Sequence, residues 1–193
     1  MTTSNQAGGL PSSEPAQQGK HWVAPVLAMA GIVLLSNILV QYPVGEWLTW
    51  GAFSYPVTYF VTDVCNRWAG PGLARRVAWA GFVVGVALSL WMATPQIALA
   101  SGAAFITSQL LDISVFNQLR RKSWWMAPLF GSAVASVVDT AIFFSIAFHG
   151  TDMNWVQLAA GDLGVKLAMA LVLLVPFRPV VRWMSGRRAV PGI

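Results

Sequence analysis

The stretch QIALASGAAFITSQLLDISVFNQL, residues 96–119, contains no lysine, arginine or glutamate and a single aspartate, Asp112. As a helix its 24 residues extend about 36 Å at 1.5 Å per residue, enough to cross roughly 30 Å of hydrocarbon. Helical spacing places Ser101, Phe105, Ser108 and Asp112 on one stripe, with Gln109 beside it. An ionised aspartate at the centre of a lipid-facing helix costs about 2.5–3.5 kcal/mol, so this stripe must face protein or water.

Outward from this run, the whole chain reads the same way. Of its 193 residues 56% are hydrophobic and 10% charged, and a mean hydropathy of +0.60 is too high for a soluble domain. Further apolar runs cover residues 22–40, 76–93, 124–148 and 155–177, with an irregular one between residues 50 and 66. The predicted fold is an all-α integral membrane protein with six transmembrane helices, the second interrupted near Gly51 and Pro56. A regular helix from Pro56 to Asn66 would reach only about 17 Å, and irregular backbone at membrane depth is tolerated only against protein or a wet cavity. In transporters such an interruption is a pointer to the binding site; the competing readings are a proline-kinked helix that merely packs, or a run lying higher in the interface.

Residues 1–20, rich in Ser, Gln, Pro and Gly, are expected to be a disordered tail, residues 21–184 the six-helix domain and residues 185–193 a short basic tail. No basic region with a short apolar segment and a cleavage site precedes the first run, which is therefore expected to remain as a helix. Lys and Arg fall in alternate connections: Lys20, then Arg67, Arg75 and Arg76, then Arg120, Arg121 and Lys122, then Arg178, Arg182, Arg187 and Arg188. The remaining connections carry Glu46 or Asp152 without a base. Positive charge concentrates on the cytoplasmic side of membrane proteins, so both termini are predicted to be cytoplasmic. Orientation thus explains the net charge of +5, and no basic and aromatic motif suggests nucleic acid.

Catalytic, metal and cofactor signals are weak. Cys65 is the sole cysteine and forms no ligand spacing with His21 or His149, and there is no GxxxxGK[ST] loop for ATP. No catalytic residue, metal or cofactor is predicted, and a carrier rather than an enzyme is expected. GFVVG, residues 81–85, predicts close helix packing, either within a protomer or across a homodimer.

The functional signal lies in the buried polar residues. SQLLDISVF, residues 108–116, aligns without gaps on ASVVDTAIF, residues 135–143, matching Asp112 with Asp139 and Phe116 with Phe143. The second stripe is Ser132, Ser136, Asp139 and Phe143, and a short connection makes the two helices antiparallel neighbours. Asp63 ends the irregular run, and Asp162 with Lys166 forms an i,i+4 pair in the sixth. Four acids facing lipid would cost on the order of 10 kcal/mol, and Lys166 neutralises only one of them. The others need a proton, a hydroxyl or amide partner, or a ligand that donates hydrogen bonds. The competing reading is that these polar groups simply join helices, at about 0.6–2 kcal/mol each.

TWGAFSYPVTYFVTD at Thr49, ARRVAW at Ala74, SQLLDISVFNQLR at Ser108, VVDTAIFFSIAF at Val137 and KLAMALVLLVPF at Lys166 resemble, in this order, the VUT family of bacterial queuosine precursor transporters. The resemblance runs from Ser36 to about Pro179. It implies a multi-pass inner-membrane importer of 7-cyano-7-deazaguanine or 7-aminomethyl-7-deazaguanine. The site residues it implies are Asn37, Phe53 with Tyr55, Asp63, Gln109, Asp112, Asp139, Asp162 and Lys166. The chain departs from the family at Ser136, where members often carry Asn or Gln, and in a shorter third-to-fourth helix connection.

A deazaguanine presents N1–H and an exocyclic amine side by side, a donor pair that one carboxylate accepts, while its O6 needs a donor. Asp112 or Asp139 is the expected acceptor and Gln109 or Lys166 the donor, with Phe53, Tyr55, Phe116 or Phe143 forming an aromatic slot. Asp63 is a spare carboxylate for a cationic aminomethyl group. The alternative is a substrate-capture subunit of an energy-coupling-factor importer, which requires partner ATPases.

Overall fold

The computed structural model describes residues 22–39, 42–44, 48–151 and 155–188. The expected N-terminal tail with Lys20 and His21, the Glu46 and Asp152 connections and the last five residues lie outside these.

Helix α1, Val23–Leu39, is followed by a two-residue antiparallel ladder in which β1, Pro43–Val44, pairs with β2, Leu48–Thr49. Next come α2, Trp50–Ser54, and α3, Val57–Ala69, separated at Tyr55 and Pro56; the predicted interruption thus falls at Pro56, whereas Gly51 lies inside α2. Pro56 has no N–H to extend the helical ladder. The Tyr55 carbonyl instead accepts from both the backbone N–H of Thr58, at 2.9 Å, and its hydroxyl, at 2.8 Å. Gly70, with φ +90°, turns the chain into α4, Pro71–Met92, in a conformation that side-chain-bearing residues rarely adopt. Thr94 caps α5, Pro95–Leu119, by accepting from the N–H of Ile97. Helices α6, Met126–Ala147, and α7, Trp155–Arg188, complete the bundle.

The contacts fix the directions. Tyr59 meets Ser108 while Asn66 meets the Ile113 carbonyl, so α3 and α5 run the same way. Ser108 meets Asp139 and Gln96 meets the Ile146 carbonyl, so α6 runs against α5, and Asp139 with Lys166 and Thr140 with Asp162 set α7 against α6. Gly81 against Met29 and Gly85 against Val33 make α1 parallel to α4. The GxxxG face is therefore covered by α1 of the same chain.

The chain is an all-α membrane protein: α4, α5, α6 and α7 are long and apolar enough to cross a bilayer. Its polarity is inverted relative to a soluble domain. Leu27, Val83, Leu90, Trp91, Leu99 and Val175 are exposed, whereas Asp63, Gln109, Asp112, Asp139 and Lys166 are buried. At one end of the bundle Arg67 donates to the Arg120 carbonyl and Arg120 to the Arg67 carbonyl, both at 2.9 Å, and Arg178 lies over the ring of Trp124. This reciprocal pair ties the C-terminal ends of α3 and α5 together.

Candidate functional site

Three charged side chains from two helices meet in the centre of the bundle. Lys166 Nζ lies 2.7 Å from Asp139 Oδ2 and 2.5 Å from Asp162 Oδ2, and also donates to the Thr140 hydroxyl at 3.2 Å. The ammonium's three donors are thus all used. Asp139 Oδ1 accepts from Tyr55 at 3.0 Å and from Ser108 at 3.2 Å, and the Ser108 hydroxyl is in turn 2.9 Å from Tyr59. Lys166 also sits 5.3 Å from the centre of the Tyr55 ring, a cation–π distance. The break at Pro56 therefore has a use: it sets Tyr55 at the end of the α2 segment, against the triad.

Asp162 differs from Asp139. The Asp162 side chain is 18% exposed against 4% for Asp139, and its two donors, Lys166 and Thr140, both fall on Oδ2. Its Oδ1 has no donor among the described residues.

The triad forms one wall of a cavity of about 280 Å³, close to the lower end of the roughly 300–1,000 Å³ usual for small-molecule sites. Ser36 and Asn37 from α1, Ser89 from α4 and Ser101 from α5 supply polar groups, and Phe105 and Phe143 supply aromatic faces. The cavity lies toward the end of the bundle opposite the Arg67–Arg120 pair, because it takes residues from the C-terminal halves of α1, α4 and α6 and the N-terminal halves of α5 and α7. The Ser36 hydroxyl is buried without a partner among the described residues, an orphan donor beside open space.

Of the residues predicted from sequence, Asn37, Tyr55, Asp139, Phe143, Asp162 and Lys166 line this cavity. Phe53 packs against Trp50, with ring centres 5.8 Å apart. Gln109 is fully buried between α3 and α5, donating to Thr58 at 3.0 Å and accepting from Thr62 at 2.9 Å, so its amide joins helices. Replacing Gln109 with leucine should accordingly lower thermal stability by about 1–2 kcal/mol and leave ligand affinity within about twofold, a split readable by thermal unfolding and equilibrium binding on one preparation. Asp63, Asp112 and Ser136 lie away from the cavity, on the arginine side of the triad. Ser36 and Ser89 escape sequence reasoning, since a lone serine in an apolar helix is usually a packing residue.

A cavity walled on one side by a charged triad, in a helical membrane bundle, has the size and chemistry to hold a small molecule. The pattern of the family described as "Putative vitamin uptake transporter" matches residues 49–94 and 88–181, and the chain belongs to that family. It is 33% identical to the queuosine precursor transporter of Escherichia coli strain K12 over 188 residues, covering 81% of this chain and 84% of that one. It is likewise 33% identical to a probable queuosine precursor transporter of Haemophilus influenzae, over 78% of this chain and 81% of the relative. A probable queuosine precursor transporter of Bacillus subtilis is 30% identical over 67% of this chain and 70% of its own. No solved structure matches the chain.

Proposed function

We propose that the chain imports queuosine precursors, 7-deazaguanine bases, across a bacterial inner membrane by alternating access and leaves them chemically unchanged. The names of its relatives support the substrate class. The alternating directions of α1, the α2–α3 pair and α4 to α7 support six crossings, and the arginine clusters support a cytoplasmic location for both termini. On this topology the cavity belongs to the periplasmic half, while the Arg67–Arg120 pair closes the cytoplasmic end.

The observation that carries the reading is the asymmetry of Asp162, a partly exposed carboxylate held by Lys166 and Thr140 through one oxygen only. A flat base bearing adjacent N1–H and amine donors fits that vacant oxygen, with Asp139 held in reserve by Tyr55 and Ser108. The Ser36 hydroxyl is placed to serve an O6 acceptor, and Phe105 and Phe143 offer the ring apolar faces.

Labelled 7-cyano-7-deazaguanine should enter proteoliposomes that contain the purified chain alone, without any ATPase. The analogue lacking the exocyclic amine should compete at least about tenfold more weakly, because it leaves a buried acceptor unpaired. No uptake by the chain alone would favour a capture subunit, and equal competition would reject the carboxylate–ring contact.

A further inference from the structure

Beyond the cavity, two carboxyl groups face each other without a base. Asp63 on α3 and Asp112 on α5 are 2% and 0% exposed, and their carboxyl groups lie within hydrogen-bonding reach of each other. The Ser132 hydroxyl donates to Asp63 Oδ2 at 3.3 Å, but neither oxygen of Asp112 nor Oδ1 of Asp63 meets a donor. Asp112 Oδ1 is pressed against the backbone of α6, so tightly that a Cβ on Gly131 would stand 2.7 Å from it.

The charged and titratable neighbours do not relieve this. Arg67, one turn beyond Asp63, spends its guanidinium on the carbonyls of Arg120 and Trp124 and lies over the ring of Phe116. Cys65 on α3 is a buried thiol, and Tyr59 is bonded to Ser108. Lys166 on α7 is committed to Asp139 and Asp162, the ion pairs found among the described residues. Two adjacent buried carboxylates repel, and each lacks donors; a single proton shared between them removes the repulsion and supplies the missing hydrogen bond. One orphan oxygen of Asp112 and one oxygen of Asp63 are what such a proton would join.

The pair also has a route to the cavity. Asp63, Ser132, Ser136 and Lys166 line one narrow crevice of about 10 Å³, close to the smallest space that holds a water molecule. The Ser136 hydroxyl in it is buried and has no partner. Lys166 lines this crevice and the cavity both, so a polar line runs from the carboxyl pair along α6 to the triad.

We propose that Asp63 and Asp112 together form the binding site of one proton, which is carried inward with the substrate. This rests on the carrier reading and adds the coupling ion to it. The proton binds to one carboxylate oxygen of the pair from the periplasmic side, by way of the cavity and crevice, and leaves to the cytoplasm when the Arg67–Arg120 end opens.

The test uses the full chain in liposomes with 7-cyano-7-deazaguanine, an uncharged probe. Exchange of external labelled for internal unlabelled base at equal pH reports the carrier alone. With the outside one pH unit more acidic, one proton per base drives accumulation of up to about tenfold, and a protonophore abolishes it. Asp63→Asn and Asp112→Asn should retain exchange within about threefold and lose the gradient-driven accumulation, ending near a ratio of one.

Wild-type accumulation that ignores the gradient, or either variant that still accumulates about tenfold, overturns the proton site. Loss of exchange in both folded variants also overturns it, by placing the pair in the substrate's path. Absence of exchange by the wild type instead rejects the carrier reading. Should neither variant fold, alkalinisation of the outer medium during wild-type uptake decides: about one proton per base supports the site and none rejects it.

Discussion

Lys166→Met should lower the stability of the bundle by about 3–5 kcal/mol and abolish uptake, because it leaves Asp139 and Asp162 in the interior with no cation. The ammonium is 2.7 Å from one carboxylate and 2.5 Å from the other, and both contacts disappear together. The triple change Asp139→Asn, Asp162→Asn, Lys166→Met removes every charge at once and should return most of the stability, since uncharged side chains of similar volume often replace a buried ion pair at little cost. Uptake should not return. Two charge-assisted hydrogen bonds at about 1.5–3 kcal/mol each correspond to roughly 100-fold or more in Kd. Thermal unfolding in detergent and binding of labelled 7-cyano-7-deazaguanine, measured on the wild type, Lys166→Met and the triple variant, separate the two effects. A triple variant that binds normally would leave the triad a purely architectural role.

The triad was half legible in the sequence. Asp162 and Lys166 are four apart on one helix, a spacing that brings side chains together in any tertiary context. The break at Pro56 was equally plain, since proline removes a backbone donor wherever it stands. What the sequence hid was depth. The alignment of SQLLDISVF on ASVVDTAIF matches Asp112 with Asp139 without fixing their depths; α5 and α6 are antiparallel, and the residue that Asp139 meets on α5 is Ser108, one turn or about 6 Å from Asp112. Equivalent positions in two antiparallel helices coincide only at the crossing point, and periodicity does not say where that is.

Gln109 shows a different limit. Its place beside the polar stripe was readable, but whether its amide faced a ligand or two threonines of α3 depended on how α3 lay against α5. Of the cavity's polar groups on α1 and α4, Asn37 was implied by the family resemblance, whereas Ser36 and Ser89 belong to no polar stripe and were hidden.

Gly131→Val should be the most damaging single change on α6, with loss of folded protein or at least about 3 kcal/mol of stability, and Gly131→Ala should cost about 1–3 kcal/mol. A Cβ at Gly131 would stand 2.7 Å from Asp112 Oδ1 and 3.3 Å from the Asp112 backbone carbonyl. The carboxylate could swing aside, but it is hemmed in by Asp63, and the carbonyl belongs to a continuous helix that moves only as a whole. Relief therefore requires α5 and α6 to separate, and that separation would be felt at Ser108, four residues from Asp112 on α5, and at its partner Asp139, eight residues from Gly131 on α6. Gly164→Ala is the matched control. It lies on an exposed part of α7 with nothing within 4 Å of its added methyl, so it should be neutral or stabilising by up to about 1 kcal/mol. Melting temperatures of the three variants, together with substrate affinity, test the geometry directly: a Gly131→Val protein as stable as Gly164→Ala would mean that α5 and α6 do not approach as closely as the Asp112–Gly131 contact requires.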